Sequence, residues 1–526
     1  MELKKTIYAL REREGMTQER FAEILGVSRQ AVQKWEAGVS APEIKNLIAI
    51  AKNFHISMDA LILGSNDRLV DELTYDKVIQ PEYSSIHVWD SYSEQLKVEF
   101  IQCLEEGLNI GNYEDLFLAV SKMPKGQLKD AMADQLFLLV LNSSLRPEYS
   151  YTEPSSLEDI RLLCTFRDHP AAIPSRKKLE DKLRGAWLGR IAGCLLGKPV
   201  EGCKTEELIP FLKDSDNYPM HRYILSTDVP EDADTKYQFR FAGRCYPDTI
   251  SAAPVDDDTN YTVLAQCILD LYGKDFTPYD VSRAWLSHQP KNAYCTAERV
   301  AFRNFVMSYT PPNSAVYKNP YREWIGAQIR ADYYGYINPG NPTMAAEMAW
   351  RDASISHVKN GIYGAMFVAA MLAEAAVNSD LLEILQCGLS QIPSTSRLHD
   401  RISRLIHNYQ AGVTQKQCFK SIHTRYDEHR GHDWCHTISN AEIVVASLLY
   451  GKGDFGTSVC MAVEAGFDTD CNGATVGSIL GMRGGAASID KKWTDPIRNR
   501  LETSIFGVGT VTVDDLINKT LEHTLY

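Results

Sequence analysis

Two acidic clusters, far apart in a chain of 526 residues, set the strongest condition on its fold. Asp256-Asp257-Asp258-Thr259 leads into the apolar stretch 261–264, and Asp468-Thr469-Asp470-Cys471-Asn472 leads into 474–480. Carboxylates this dense repel one another. Beside buried helices they need a cation to neutralise them. Oxygen ligands select hard cations such as Mg²⁺, Mn²⁺ or Ca²⁺. Taken alone, either cluster reads as a helix N-cap, where Asp and Thr are favoured and the helix dipole welcomes negative charge. Taken together, they read as two halves of a one- or two-ion site, which requires them to converge in space. Both readings hold at once, because a cap gathers its oxygens in one place.

The chain is too long for a single core. Its apolar share of 44% and charged share of 23% are those of a soluble globular protein. No apolar run reaches the length of a membrane span, and the N-terminus lacks a signal-peptide pattern, so a cytoplasmic protein with no membrane partner is expected. Twelve scattered Cys without a CxxC pair read as reduced thiols. His432-Asp433-Trp434-Cys435-His436 is a near miss for zinc. It lacks a second Cys/His pair nearby, and a structural loop beside the acidic site is the better reading.

Residues 1–64 carry helix, turn, helix punctuation. Thr17 can cap one helix, Gly26 stops it, and Ser28 can cap the next. Phe21, Ala22, Leu25, Val27, Val32 and Trp35 fall at spacings that close a small core. The segment resembles the Cro/C1-type helix-turn-helix family, whose second helix enters the major groove. The resemblance implies a small, five-helix-like DNA-binding domain. It puts Arg29, Gln30 and Gln33 near base edges, and Gln18, Ser28 and Lys34 near phosphate. Arg suits guanine and Gln suits adenine. The implied partner is an inverted-repeat operator bound by a homodimer; the alternative is a protein-binding module. Residues 1–64 have nine Lys/Arg and eight Asp/Glu, and the whole chain has a net charge of −13. A chain this acidic is no nonspecific polyanion binder, so DNA contact would be confined to the recognition face.

Residues 65–177 form a connector of unknown role. It opens with a polar stretch around Pro81-Glu82-Tyr83-Ser84-Ser85 and then shows helical periodicity over 96–104 and 128–141, which suggests a dimerising or spacer bundle. From 178 to 526 helical patterns dominate, including 364–375 and 441–449. The expected fold class is all-α throughout.

This third region resembles the ADP-ribosylglycohydrolases of the dinitrogenase reductase-activating glycohydrolase type. Asp257-Asp258-Thr259 and Gly466-Phe467-Asp468-Thr469-Asp470 match the family's metal signatures. Leu183-Arg184-Gly185-Ala186-Trp187-Leu188-Gly189 and Gly197-Lys198-Pro199-Val200-Glu201 match its first helix and following loop. Tyr336-Ile337-Asn338-Pro339-Gly340-Asn341-Pro342 and Asp352-Ala353-Ser354-Ile355-Ser356-His357 match its central segments. The family usually has Thr or Ser at position 256, Asp at 194, and often Thr or Ser at 471. Here Asp256, Cys194 and Cys471 stand instead, and Cys471 is too soft a ligand for Mg²⁺.

The resemblance implies hydrolysis of an ADP-ribosyl bond with one or two Mg²⁺ ions, Mn²⁺ being the substitute. Asp256, Asp257, Asp258, Asp468 and Asp470 are the metal candidates. Glu201 is the acid/base candidate, aimed by a Gly/Pro turn, with Asp258 as a second catalytic group. His357, Asn338, Gly340, Gly466 and Thr259 are expected to border the substrate, and Thr469 to act as a structural cap. Two functions remain open. One is a glycohydrolase coupled to operator binding. The other is a transcription regulator whose hydrolase-like domain senses ADP-ribose or NAD without turnover.

Overall fold

The computed structural model describes residues 3–56, 58–63, 81–166 and 172–525. The fold is all-α apart from one antiparallel ribbon pairing Arg500–Glu502 with Thr510–Thr512. The chain divides into two compact units, Met1–Ile86 and His87–Tyr526. The domain boundary expected at residue 65 lies outside the described residues. Among the described residues, no helix is long and apolar enough to cross a membrane. None of the twelve cysteines is in a disulfide.

The first unit contains helices Leu3–Arg13, Gln18–Leu25, Arg29–Ala37, Ile44–Asn53 and Met58–Leu63. Thr17 and Ser28 cap the second and third helices, accepting from the amides of Arg20 and Ala31 at 3.2 Å each. Gly26 and Gly38 end them in left-handed conformation. A side chain there would be strained, which is why glycine stops both helices cleanly. Ile7, Leu10, Phe21, Val32, Trp35 and Ile50 close the core.

The second unit is organised around the antiparallel helices Arg176–Gly197 and Thr469–Gly484. Glycines at four-residue spacing line their contact. A Cβ on Gly189 would sit 2.1 Å from the Gly477 carbonyl oxygen, and one on Gly193 would sit 2.0 Å from that of Gly473. Any side chain would force the backbones apart. The same approach places Gly197 against the Thr469–Asp470 peptide. The second acidic cluster therefore meets the end of the first helix. At the other end Lys182 donates to the carbonyls of Ala375, Met482 and Arg483 at 2.8–3.1 Å. Its ammonium satisfies carbonyls left open at two helix C-termini.

Of the connector expected over 65–177, the described residues 87–166 and 172–177 belong to this second unit. Their helices Leu96–Glu105, Glu114–Ser121 and Gln127–Leu141 enclose a core of Leu96, Phe100, Phe117, Leu136 and Phe137. Buried ion pairs tie them to the rest. Arg322 meets Glu99 at 3.0 Å and Glu106 at 2.5 Å, Arg299 meets Asp90 at 2.9 Å, and Gln102 donates to Glu323 at 2.6 Å.

Candidate metal and catalytic site

Both acidic clusters open helices. Asp256 is the N-cap of Asp257–Tyr272, its Oδ1 accepting the Asp258 amide at 2.9 Å, and Asp468 stands at the N-cap position of Thr469–Gly484. The glycine-lined helix pair brings the two together. Cys194, Asp256 and Asp258 have ligand atoms within 4.8 Å of one another, and so do Asp258, Asp470 and Cys471. Asp258 thus belongs to both groups. Arg190 Nη2 donates to Asp258 Oδ1 at 3.1 Å and Nη1 to Asp332 Oδ2 at 2.9 Å. Arg190 also binds the backbone carbonyls of Asp258 and Ile329. Lys198 Nζ bonds Asp256 Oδ2. Asp258 Oδ2 and Asp332 Oδ1 are buried with no hydrogen-bond partner among the described residues. An orphaned carboxylate oxygen in a nest of carboxylates is what a hard cation would satisfy, so the donors fit Mg²⁺ or Mn²⁺.

Charge repulsion is written into the titration of the cluster. Burial, then Asp468 and Asp256, push the Glu201 carboxyl up to about 7. Burial, then Asp256, Glu201 and Asp468, raise Asp257 well above the usual range. Burial, then Glu201, Asp256 and Asp468, do the same to Asp470. Asp258 is raised despite Arg190, with burial the main cause, and burial raises Asp468 as well. Asp256 goes the other way: burial would raise it, but the charge and hydrogen bond of Lys198 hold it low. Burial keeps the Cys194 and Cys471 thiols neutral.

Glu201 follows the turn Lys198–Val200 and is half-buried. Asp256, Asp257, Asp258, Asp468, Asp470 and Glu201 are thus assembled in one place. The other expected residues are not all there. Thr259 spends its hydroxyl on the Asp256 carbonyl at 3.3 Å. Gly466, at φ +72°, faces Glu428, whose Oε2 would lie 2.6 Å from an added Cβ. That carboxylate is held by the Thr205 amide. Gly466 and Phe467, at φ +56°, make the tight turn that presents Asp468. Phe467 in the left-handed region is strained, a common mark of a site fixed by its surroundings.

His357 is buried beside the acidic cluster's neighbours, not on it. Its Nδ1 meets Ser356 Oγ at 2.9 Å and its Nε2 lies 3.9 Å from Glu298, which pairs with Arg330 at 2.7 Å. Burial lowers this imidazole well below its ordinary range. Asn338 donates to the Tyr334 carbonyl at 2.8 Å, and the Gly340 amide donates to Ala373 at 2.8 Å. Ala373 lies in the helix turn capped by Lys182. Lys182 is ~18 Å from Cys194 along the helix, at 1.5 Å per residue. The structure does not bring Asn338 and Gly340 to the cluster.

The sequence profile of the ADP-ribosylglycohydrolases matches residues 175–523, and a helix-turn-helix profile matches residues 7–61. The chain belongs to the ADP-ribosylglycohydrolase family. An uncharacterized protein of Archaeoglobus fulgidus is 22% identical over 328 residues, 61% of this chain and 93% of its own. The HTH-type transcriptional activator BcrR of Enterococcus faecalis is 31% identical over 113 residues, 22% of this chain and 54% of its own. The chain thus spans about half the length of that relative. A solved ADP-ribosylglycohydrolase-related protein complex covers 66% of this chain and 99% of its own, at 17% identity and a TM-score of 0.43. The chain therefore carries an ADP-ribosylglycohydrolase domain and a helix-turn-helix domain.

Around the acidic cluster, residue types give little local warning of Arg190, Lys198, Asp332 and Glu298. The segment after Arg430, expected as a loop, is a short helix, Gly431–Cys435, and it does touch the cluster: Trp434 Nε1 donates to the Phe467 carbonyl at 2.5 Å, and Cys435 Sγ lies 3.7 Å from Asp468. Its histidines gather with Glu105. The Trp324 indole donates to His432 Nδ1 at 3.2 Å, and the Ile438 amide donates to His436 Nδ1 at 3.1 Å. Both donors can only donate, so in the neutral rings each Nε2 carries the hydrogen. Those atoms face Glu105 Oε2 at 3.1 and 3.7 Å. The set is a carboxylate hydrogen-bonded by the His432 N–H, with the His436 Nε2 close by but without a hydrogen-bond partner among the described residues. Burial would raise Glu105, but His432 and His436 bring it down to about 2.

In the helix-turn-helix domain, Arg29, Gln30, Gln33 and Lys34 are exposed along one face of Arg29–Ala37, while Val32 and Trp35 face the core. Arg29 makes a surface ion pair with Glu19 at 2.7 Å. Ser28 Oγ is engaged as the cap. Gln18 donates to Glu36 Oε2 at 2.7 Å, and Glu36 also binds Arg11 at 2.7 Å. The Gln18 amide is therefore part of an internal clasp.

Proposed function

We propose that the large unit hydrolyses the C1″ glycosidic bond of an ADP-ribosyl group, and that the helix-turn-helix reads an inverted-repeat operator as a homodimer. One observation carries the hydrolase reading. A half-buried Glu201, its carboxyl raised by burial and by Asp468 and Asp256, stands beside carboxylates that converge from two helix ends. Such cleavage needs a group that can both donate and accept a proton near neutrality, and stabilisation of an oxocarbenium-like state. Glu201 protonated can donate to the leaving atom; deprotonated it can take a proton from water. Asp257, Asp258, Asp468 and Asp470 would hold Mg²⁺, which when bound supplies positive charge for ribose hydroxyls and water. Asp258 is kept in place by Arg190, so its role is positioning of a shared oxygen. Turnover of an ADP-ribosylated peptide with Mg²⁺, against an EDTA control, tests the reading. No turnover on Arg-, Ser- or Asn-linked ADP-ribose would count against it.

A second reading has its own support. Cys194 and Cys471, buried neutral thiols, stand among the converging oxygens and are poor partners for Mg²⁺. On this reading the pocket binds ADP-ribose or NAD without cleaving it and alters operator affinity. Operator titrations with and without saturating ADP-ribose distinguish the two. Coupling of about 1–3 kcal/mol must appear equally in both directions if the domain is a sensor.

A further inference from the structure

We propose that the Lys198 ammonium takes the place of one of two cations in the acidic site, so that each chain binds a single divalent ion. The inference rests on the metal reading given above and narrows it.

The converging donors form two groups that share Asp258. In the group of Cys194, Asp256 and Asp258, three of the four carboxylate oxygens are already engaged. Lys198 Nζ bonds Asp256 Oδ2, and the Asp258 amide donates to Asp256 Oδ1 at 2.9 Å. Arg190 occupies Asp258 Oδ1 at 3.1 Å. The third donor is a buried thiol, soft and a poor ligand for Mg²⁺. A divalent ion entering here would have to expel an ammonium from a buried carboxylate, and it would recover little by way of ligands.

The group of Asp258, Asp470 and Cys471 differs. Among the described residues, neither a lysine nor an arginine is bonded to Asp470, and the shared Asp258 keeps Oδ2, the oxygen Arg190 does not take, buried and unpartnered. Asp470 accepts the Cys471 amide at 3.1 Å. Oxygen-rich neighbours and an orphaned oxygen make this the place for a hard cation. The fold explains why Lys198 reaches the first group. Gly197 packs against the Thr469–Asp470 peptide, and the turn Lys198–Val200 starts at that contact. The ammonium is thus anchored on the same turn that presents Glu201. An ammonium neutralises charge, but it cannot take up a substrate oxygen or activate water as a second metal would. The site then depends on one ion together with Glu201.

Mn²⁺ binding to the metal-free full-length protein tests this, by calorimetry and by electron paramagnetic resonance. Wild type should bind one Mn²⁺ per chain, with the resolved six-line spectrum of an isolated ion. Lys198→Met should bind two, and at the roughly 3.5–4 Å spacing of two-metal sites the spectra should broaden by mutual coupling. If Lys198→Met fails to fold without metal, Lys198→Met/Asp256→Ser leaves no unpaired buried charge and carries the same expectation. Two ions in wild type would overturn the proposal. So would one ion in a folded Lys198 variant, because the lysine would then not be what excludes the second. Absence of any Mn²⁺ binding by wild type would sink the metal reading itself, a different result from either.

Discussion

The two units place their candidate site residues in opposite environments. In the helix-turn-helix, Arg29, Gln30, Gln33 and Lys34 are exposed, and the buried Arg11–Glu36 pair only braces the fold. In the glycohydrolase unit, Asp258 and Arg190 are fully buried, and Asp256, Asp468 and Asp470 nearly so. A surface that meets a long polyanion can be built from side chains that the core does not need. A site that grips a small cation must take carboxylates out of water, and that costs the fold whatever the cation and lysine do not offset. Binding and stability should therefore separate in the first unit and be entangled in the second.

The largest effect is expected at Glu201, where the entanglement is least within its unit because the residue is half-buried. Glu201→Gln should slow turnover by roughly 10²- to 10⁴-fold with little change in ligand affinity. It also removes a carboxylate that Asp468 and Asp256 repel. The metal-free variant should therefore melt no lower than wild type at pH 8. Surviving turnover would move the proton-transfer role to another carboxylate; a large fall in melting temperature would break the contrast drawn here.

Next in size is the response to metal. Mg²⁺ at a hundredfold excess over its dissociation constant should stabilise the protein by about 2.7 kcal/mol. Asp257→Ala/Asp470→Ala should abolish that gain. The pH dependence has a definite sign. Glu201 is raised from 4.5 to about 7, and Asp257, Asp258 and Asp470 are raised too. Between pH 4.5 and 7 the folded cluster holds more protons than the unfolded chain, so its contribution to stability is present below 4.5 and lost as pH rises through 7. Melting of the metal-free protein should decline across that window, and the increment from Mg²⁺ should grow. An increment that does not change with pH would mean the ion binds elsewhere.

How much of this was legible in sequence follows the same divide. Thr17, Gly26 and Ser28 act within four residues of themselves, so the caps and stops of the first unit could be read directly. The acidic clusters were legible because carboxylates at the start of apolar helices are a local conflict. What holds them is not local. Arg190 reaches Asp258 and Asp332 from 68 and 142 residues away, and Arg322 reaches Glu99 from 223. No spacing rule announces such pairs, so residues 65–177 read as a separate connector. One signal was available. Glycines 185, 189 and 193 repeat every four residues, as do 473, 477 and 481, and they foretell two helices in backbone contact. Asn338-Pro339-Gly340 misled in the opposite way. Its glycine, at φ +71°, serves a turn that caps a helix, and the same residue types serve ligand loops.

The smaller effects belong to the exposed unit. Arg29→Ala or Gln30→Ala should cost about 1–3 kcal/mol at one base position and relax preference there, leaving melting nearly unchanged. Arg29 would give up only a surface pair with Glu19 to reach DNA, and pairs between exposed side chains contribute little to stability. A genome-wide binding selection that returns no motif for wild type would favour a protein-interaction role instead.

The smallest effect is expected at Lys34, and it is the sharpest check on which face of the helix docks. Lys34 is exposed in the last turn of Arg29–Ala37, where its charge also favours the C-terminal dipole. If it meets a phosphate, Lys34→Ala should weaken binding to all sequences alike, since a phosphate contact carries no base information. The plot of log affinity against log salt should lose about 0.9 of slope, one counterion fewer released. Preference among operators should stay as it was. A changed preference with an unchanged slope would place Lys34 at a base edge, and the recognition helix would then sit in the groove rotated from the orientation that Arg29 and Gln30 imply.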